Sequence, residues 1–181
     1  MLTYKCLNTQ EFKIDKYKIV PIRLEDRYNI MKWRNEQMYH LRQSKILTIE
    51  DQDFYFENVV KKLFEQEKPN QILFSFLENE ICIGYGGLVH LDWERKTGEI
   101  SFLISTELES SFFEKYWHLF LNMIELVAFK ILKLNKIYTY AYDLRPKLYI
   151  CLEKADYKLD KTIEESNNRI IIHSKYNTCA K

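Results

Sequence analysis

Glycine and proline are scarce in this chain. Its 181 residues hold four glycines and three prolines, so punctuation between elements falls to other residues. No stretch has the composition of a linker or low-complexity segment, and no internal repeat is visible. No apolar run approaches the ~20 residues of a membrane span, so a membrane is not an expected partner. Neither sign of charge is in excess: 27 Lys and Arg stand against 26 Asp and Glu, a formal net charge of +1. Without a basic stripe, nucleic acid is a disfavoured partner. The four cysteines (Cys6, Cys82, Cys151 and Cys179) include no CxxC pair. Cys82 and Cys151 sit in apolar runs and read as small buried hydrophobes. A reduced, cytoplasmic chain is the expectation. His40, His90, His118 and His173 are dispersed without metal-ligand spacing, so no metal is expected. The start, MLTYKCLNTQ, lacks a charged region followed by an apolar run, so it is not read as a signal peptide.

Aromatic residues are plentiful, at 15% with thirteen Tyr and eleven Phe, and hydrophobic residues make up 46%. That composition and length fit one folded domain over 1–181 with a real core, after a polar lead-in at 1–16. Tyr17 to Leu24 reads as a strand, with Pro21 arguing for an edge or a bulge. Glu25 to Trp33 reads as a short helix. Thr48 and Asp51 resemble a capping box opening a second helix, whose Phe56, Val59, Val60, Leu63 and Phe64 form one stripe. Gln71 to Leu77 is a strand and Glu78 to Glu80 a hairpin turn. A long helix is expected from about Ser110, with Trp117, Phe120, Leu121, Ile124, Ala128 and Ile131 on one face. Lys136 to Tyr142 alternates as a strand, Arg145 to Lys154 forms a short helix near Pro146, and Tyr157–Ile163 and Arg169–Tyr176 close as an antiparallel pair.

The densest signal is Ile83 to Ser105, IGYGGLVHLDWERKTGEISFLIS. Two alternating strands flank a short polar connection. Gly84, Gly86 and Gly87 all fall in the first, where glycine marks close backbone approach or a bulge. Glu99 opens the second, with Ser101, Leu103 and Ser105 on its face. It is either a solvated strand edge or a general base beside a bound ligand. The element order gives an α+β fold: a mostly antiparallel, twisted, mixed sheet of about seven strands flanked by about four helices. Strand ends splaying at the one crossover would form a ligand cleft.

This order, together with MKWRNEQ, IGYGGLVHLD, GEISFLIS, LNKIYTYAYDLRP and LEKADYKLD, resembles the GNAT superfamily of N-acetyltransferases from Tyr17 onward. MKWRNEQ in particular looks like the branch of amino-sugar and ribosomal-protein N-terminal acetyltransferases. The resemblance implies acetyl-CoA as co-substrate. It places a strand bulge, whose free backbone groups would hold the pantetheine arm, on Phe102, Leu103 and Ile104. It places the pyrophosphate at a helix N-terminus at about Ser110 to Glu114, with Ser110 and Ser111 as cap and hydrogen-bond donors. The family's phosphate loop has the form Q/R-x-x-G-x-G/A; here ELESSFFEKYW stands in its place without glycine.

Acetyl transfer to an amine implies a base, an oxyanion donor and a proton for the thiolate. Glu99 is the first base candidate and His90 the second, or else a packed histidine. The Leu103 N–H is the candidate donor to the thioester carbonyl. In the family's "YEKLGF" stretch a Tyr is the acid; here Leu152 takes its place, and Tyr149 is either the substitute or a packing residue. Arg34 and Asn35 are candidates for the acceptor pocket, or a salt bridge and a loop amide. Tyr140 and Tyr142 are candidates for the cleft wall. Arg145 is a candidate phosphate ligand or an anchor for the turn at Asp143. The expected function is acetylation of an amino sugar, nucleotide-linked, by a chain that could form a homodimer. The alternatives are acetylation of a protein N-terminus or another small amine, and a non-catalytic binding module.

Overall fold

The computed structural model describes residues 2–165 and 168–178. The Ile83–Ser105 segment builds the centre of the sheet. Strands β1 (Phe12–Ile14), β2 (Tyr17–Pro21), β3 (Ile72–Glu78), β4 (Ile81–Asp92), β5 (Thr97–Ile104), β6 (Lys136–Tyr142), β7 (Lys158–Glu165) and β8 (Asn168–Tyr176) lie in the order β1-β2-β3-β4-β5-β6-β8-β7. Every neighbouring pair is antiparallel except β5 with β6. There are thus eight strands among the described residues. The extra one, β1, lies in the expected lead-in, where three residues are too short to show a periodicity.

Local chemistry explains most element ends. Asn79 and Glu80 both have positive φ (47° and 68°), the pairing that closes a two-residue hairpin between β3 and β4. Pro21 lies beyond the reach of β1, which pairs only as far as Ile19, so its missing N–H costs nothing on that side. Helix α1 (Arg27–Glu36) follows a 3-10 turn at Leu24–Asp26. Helix α2 (Ile49–Tyr55) opens on the expected capping box of Thr48 and Asp51. It runs through a π turn at Phe56–Val60 into α3 (Lys61–Leu63). The stripe buries Phe56, Val60, Leu63 and Phe64, while Val59 is half-buried.

The long helix, expected from about Ser110, begins at Phe113, and a separate short helix precedes it. Ser105 caps α4 (Thr106–Ser111), accepting from the Leu108 N–H. Phe112 (φ −137°) ends that turn and starts α5 (Phe113–Glu125), which finishes in a π turn at Leu126–Ile131. Helix α6 (Pro146–Lys154) has proline in its first turn, as expected.

α5 packs on the sheet through aromatics. Phe102 and Phe120 stack with centroids 4.0 Å apart and rings 8° from parallel, and Trp117 meets Phe102 edge-on at 5.0 Å. Such pairs add about 1 kcal/mol each to the burial of their area. Gly86 makes the approach possible. A Cβ there would lie 2.8 Å from Phe120 Cζ and 2.3 Å from the Ser101 carbonyl oxygen. Cys151 is buried and Cys82 half-buried, and burial pushes their thiols up to about 11 and about 12. Cys179 lies outside the described residues. Among the described residues no helix is long and apolar enough to cross a membrane, and no His, Cys, Asp and Glu cluster could hold a metal.

Candidate active site

β5 and β6 pair over only three positions, Thr97–Glu99 with Lys136–Tyr138. Beyond them β5 stays with β4 to Ile104, while β6 stays with β8 to Tyr142. The strands therefore splay, and the crossover opens a cleft of about 90 Å³ walled by Glu99–Phe102, Thr139–Tyr142 and side chains from α5 and α6. The cleft leaves backbone groups unpaired without a bulge. β4 and β5 run in unbroken register from Gly84↔Ile104 to Val89↔Glu99. The Ser105 N–H donates to the Ile83 carbonyl, so by antiparallel alternation Leu103 also bonds toward β4. Phe102 and Ile104 turn their backbone groups to the cleft instead. This corrects the expected bulge over Phe102, Leu103 and Ile104, and it removes Leu103 as a donor into the cleft. The Ile104 carbonyl is occupied by the Gln37 side-chain amide at 2.8 Å.

The irregularity lies in β4. Register shifts between Val89 and Asp92, and His90 there has φ +49°. A bulge re-aims a side chain, and here the His90 Nδ1 comes within 2.8 Å of Glu99 Oε2. Glu99 is 3% exposed, so the solvated-edge alternative is excluded. Its other oxygen, Oε1, accepts from the Arg42 guanidinium. Arg42 also stacks 4.8 Å over the Tyr140 ring, whose hydroxyl donates to Glu165.

On the Glu99 face, under α1 and α2, lies a second cavity of about 270 Å³. Arg34, Tyr55 and Tyr85 form polar and aromatic walls, and Ser101 lines both this cavity and the cleft. Arg34 is half-buried, and donates from Nη1 to the Tyr85 hydroxyl (2.6 Å) and from Nε to Gln43 (3.0 Å). Asn35 does not reach the cavity wall. Its amide accepts from the Leu47 N–H and the Gln43 amide and donates to the Leu47 carbonyl. It pins the loop after α1, the structural alternative weighed for it.

A family model described as acetyltransferase (GNAT) domain matches residues 19–143. The chain belongs to this GNAT family. Its fold is similar to that of a spermidine N-acetyltransferase from Vibrio cholerae, solved with CoA and spermine: TM-score 0.78, 13% identity, covering 91% of this chain and 98% of that one. A dodecameric structure of spermidine N-acetyltransferase from the same organism gives TM-score 0.73 at 14% identity, covering 91% and 96%. No curated protein sequence matches. At these identities the likeness speaks to fold alone, and neither neighbour belongs by its description to the amino-sugar or ribosomal-protein branch. As a GNAT enzyme the chain is an acetyl-CoA-dependent N-acetyltransferase.

Its residues fit that co-substrate. The splay offers the Phe102 backbone for an amide chain laid in as an added strand. α5 starts without a side-chain cap, leaving its first N–H groups and dipole for an anion. Ser110 and Ser111 are not at that N-terminus. They end α4, exposed, with the Ser110 hydroxyl donating to the Glu107 carbonyl. The helix N-terminus itself falls within the expected span of about Ser110 to Glu114, at Phe112 and Phe113, but the two serines belong to the turn that Ser105 caps. Arg145 is 7% exposed and lines the cleft, paired with Glu109 at 2.8 Å and lying over the Phe113 ring. Its Nη1 also meets His40 Nδ1 (3.1 Å), and His40 Nε2 meets Gln37 Oε1 (3.2 Å). A continuous polar chain thus runs from Glu109 through Arg145, His40 and Gln37 to Ile104. Burial and the Arg145 charge lower His40 to about 3, so it is neutral, donating from Nε2 and accepting at Nδ1.

Tyr149 does not line the cleft. Its hydroxyl donates to Asp143 Oδ1 (3.0 Å), and its ring stacks on His173. Burial, then Asp143, push its phenol well up, which disfavours proton release. Tyr140 and Tyr142 do line the cleft. Arg42, Tyr55 and Tyr85 were missed in the sequence. Arg42 lies 57 positions from its carboxylate, and only the tertiary fold pairs them.

Proposed function

We propose that this GNAT enzyme acetylates the primary amine of an amino sugar, nucleotide-linked. The observation that carries this is the Arg34 guanidinium, bonded to the Tyr85 hydroxyl and sharing with Tyr55 the wall of a 270 Å³ cavity that meets the cleft at Ser101. A planar guanidinium with aromatic neighbours suits a base or a phosphate. A polyamine, with several cations, calls for several carboxylates. Asp51 is the one carboxylate in that wall, and it is already engaged by Lys45 and the Thr48 cap.

Bound acetyl-CoA supplies the activated acetyl group. The nitrogen gives up two protons over the reaction, one to solvent and one to the departing CoA sulfur, so that amide, CoA thiol and one released proton result; the chain's own groups bind and position the reactants and take the first of these protons. Glu99 and His90 form the proton acceptor for the amine, with His90 on the solvent side as the exit for the proton (its side chain is 63% exposed). The Phe102 N–H, turned to the cleft, is the donor for the developing oxyanion. Arg145 and the start of α5 hold the phosphate end.

The test is thiol release with a panel of nucleotide-linked amino sugars, spermidine, and peptides with free N-termini. The amino sugar should turn over fastest. Arg34→Met should raise its KM about tenfold with kcat little changed, the mark of lost uniform binding. Faster turnover of spermidine, unaffected by Arg34→Met, would discard the amino-sugar assignment. The edges of the sheet at β1 and β7 make a homodimer the assembly to test by light scattering.

A further inference from the structure

Glu99 is buried, with 5% of its side chain exposed, whereas its partner Arg42 is 43% exposed. Arg42 stands on the loop between α1 and α2. That loop is tied down around it, by Asn35 at Leu47 and by Arg34 and Asn35 at Gln43, while the Arg42 head group rests on Glu99 and the Tyr140 ring. A carboxylate beside an aromatic face is a site for a hydrogen-bonding cation. It is also where the acceptor's nitrogen must come if Glu99 and His90 are to take its proton.

We propose that Arg42 is a placeholder for the acceptor's ammonium group. In the unliganded enzyme its guanidinium fills the cation site made by Glu99 and Tyr140. The incoming alkylammonium displaces it. The exchange follows from burial: a carboxylate out of water is costly without a cationic partner, so Arg42 leaves only as another cation arrives. The acetylated product is an uncharged amide and cannot neutralise Glu99. Arg42 then returns and expels it. Arg42 is thus a specificity-determining residue: it sets a threshold that uncharged molecules do not cross and couples product release to loss of charge. This rests on the amine-acceptor part of the function above, and not on the sugar.

The experiment uses propylammonium chloride as probe, with sodium chloride matching ionic strength, and N-propylacetamide as its uncharged acetylated counterpart. Binding is followed by NMR of Tyr140 and His90 ring protons in the wild-type chain and in Arg42→Ala and Arg42→Gln. Propylammonium should bind both variants about fivefold more tightly than wild type, since the competing state is gone. In wild type it should release the Arg42 Nε–H resonance, and N-propylacetamide should do neither. Equal or weaker binding to the variants would overturn the proposal, marking Arg42 as a substrate ligand or a structural ion pair. So would release of Arg42 by the amide. Because no acetyl transfer is read, an enzyme that ignores amino sugars yet shows the exchange would refute the acceptor assignment and leave this one standing.

Discussion

Glu99 gathers three partners that no local pattern connects: Arg42, His90 and, through Arg42, Tyr140. Glu99→Gln is expected to lower kcat about 100-fold with the melting temperature little changed, measured by thiol release and thermal denaturation. If His90 and Glu99 act as one unit, His90→Gln and the double variant should lose about as much as Glu99→Gln alone. His40 has a different signature. Its folded-state value of about 3 lies below the ordinary histidine value of 6.5. Between those limits the unfolded chain holds a proton that the folded chain does not, so stability falls as pH drops through that window and is unaffected by this group above it. The melting temperature should fall about 3 °C per pH unit below pH 6. In His40→Asn, whose amide oxygen can still accept from Arg145, that slope should flatten.

The elements were largely legible because each carries its own local signal. The capping box at Thr48, the hairpin at Asn79–Glu80 and the start of α6 at Pro146 all stand where local chemistry put them. The short helix α4 before the long one was not read because its start depends on one serine. Ser105 was counted as the end of the strand, and its side chain instead caps α4. The glycine cluster in β4 marked close approach, and the structure shows to what: the Ser101 carbonyl and the Phe120 ring at Gly86. Gly86→Ala should therefore destabilise the fold by about 3 kcal/mol, read as a lower urea midpoint. A change under about 0.5 kcal/mol would mean that α5 can shift away from the sheet at little cost.

At the scale of the whole molecule the decisive feature is the short β5–β6 pairing, because it turns a sheet into a cleft. Acetyl-CoA laid along it should raise the melting temperature, by about 2.7 kcal/mol of stabilisation at a hundredfold excess over Kd. Calorimetric titration beside a thermal shift checks this, and no shift at millimolar ligand would place the binding site elsewhere. The amino-acid sequence by itself determined the α+β class, nearly all strand and helix positions, the family likeness, and Glu99 as the residue to watch. Periodicity, caps and turns act over a few residues and are written in order along the chain. Only the tertiary structure decided what Glu99 meets, that Asn35 ties a loop, that Tyr149 turns out of the cleft, and that Phe102 and not Leu103 faces it. Those outcomes depend on register and on side-chain contacts, from six positions apart for Tyr149 and Asp143 to 57 for Arg42 and Glu99, that no periodicity encodes. A one-residue change of register exchanges the two edges of a strand, and nothing in the local pattern of β5 specifies which edge is left open.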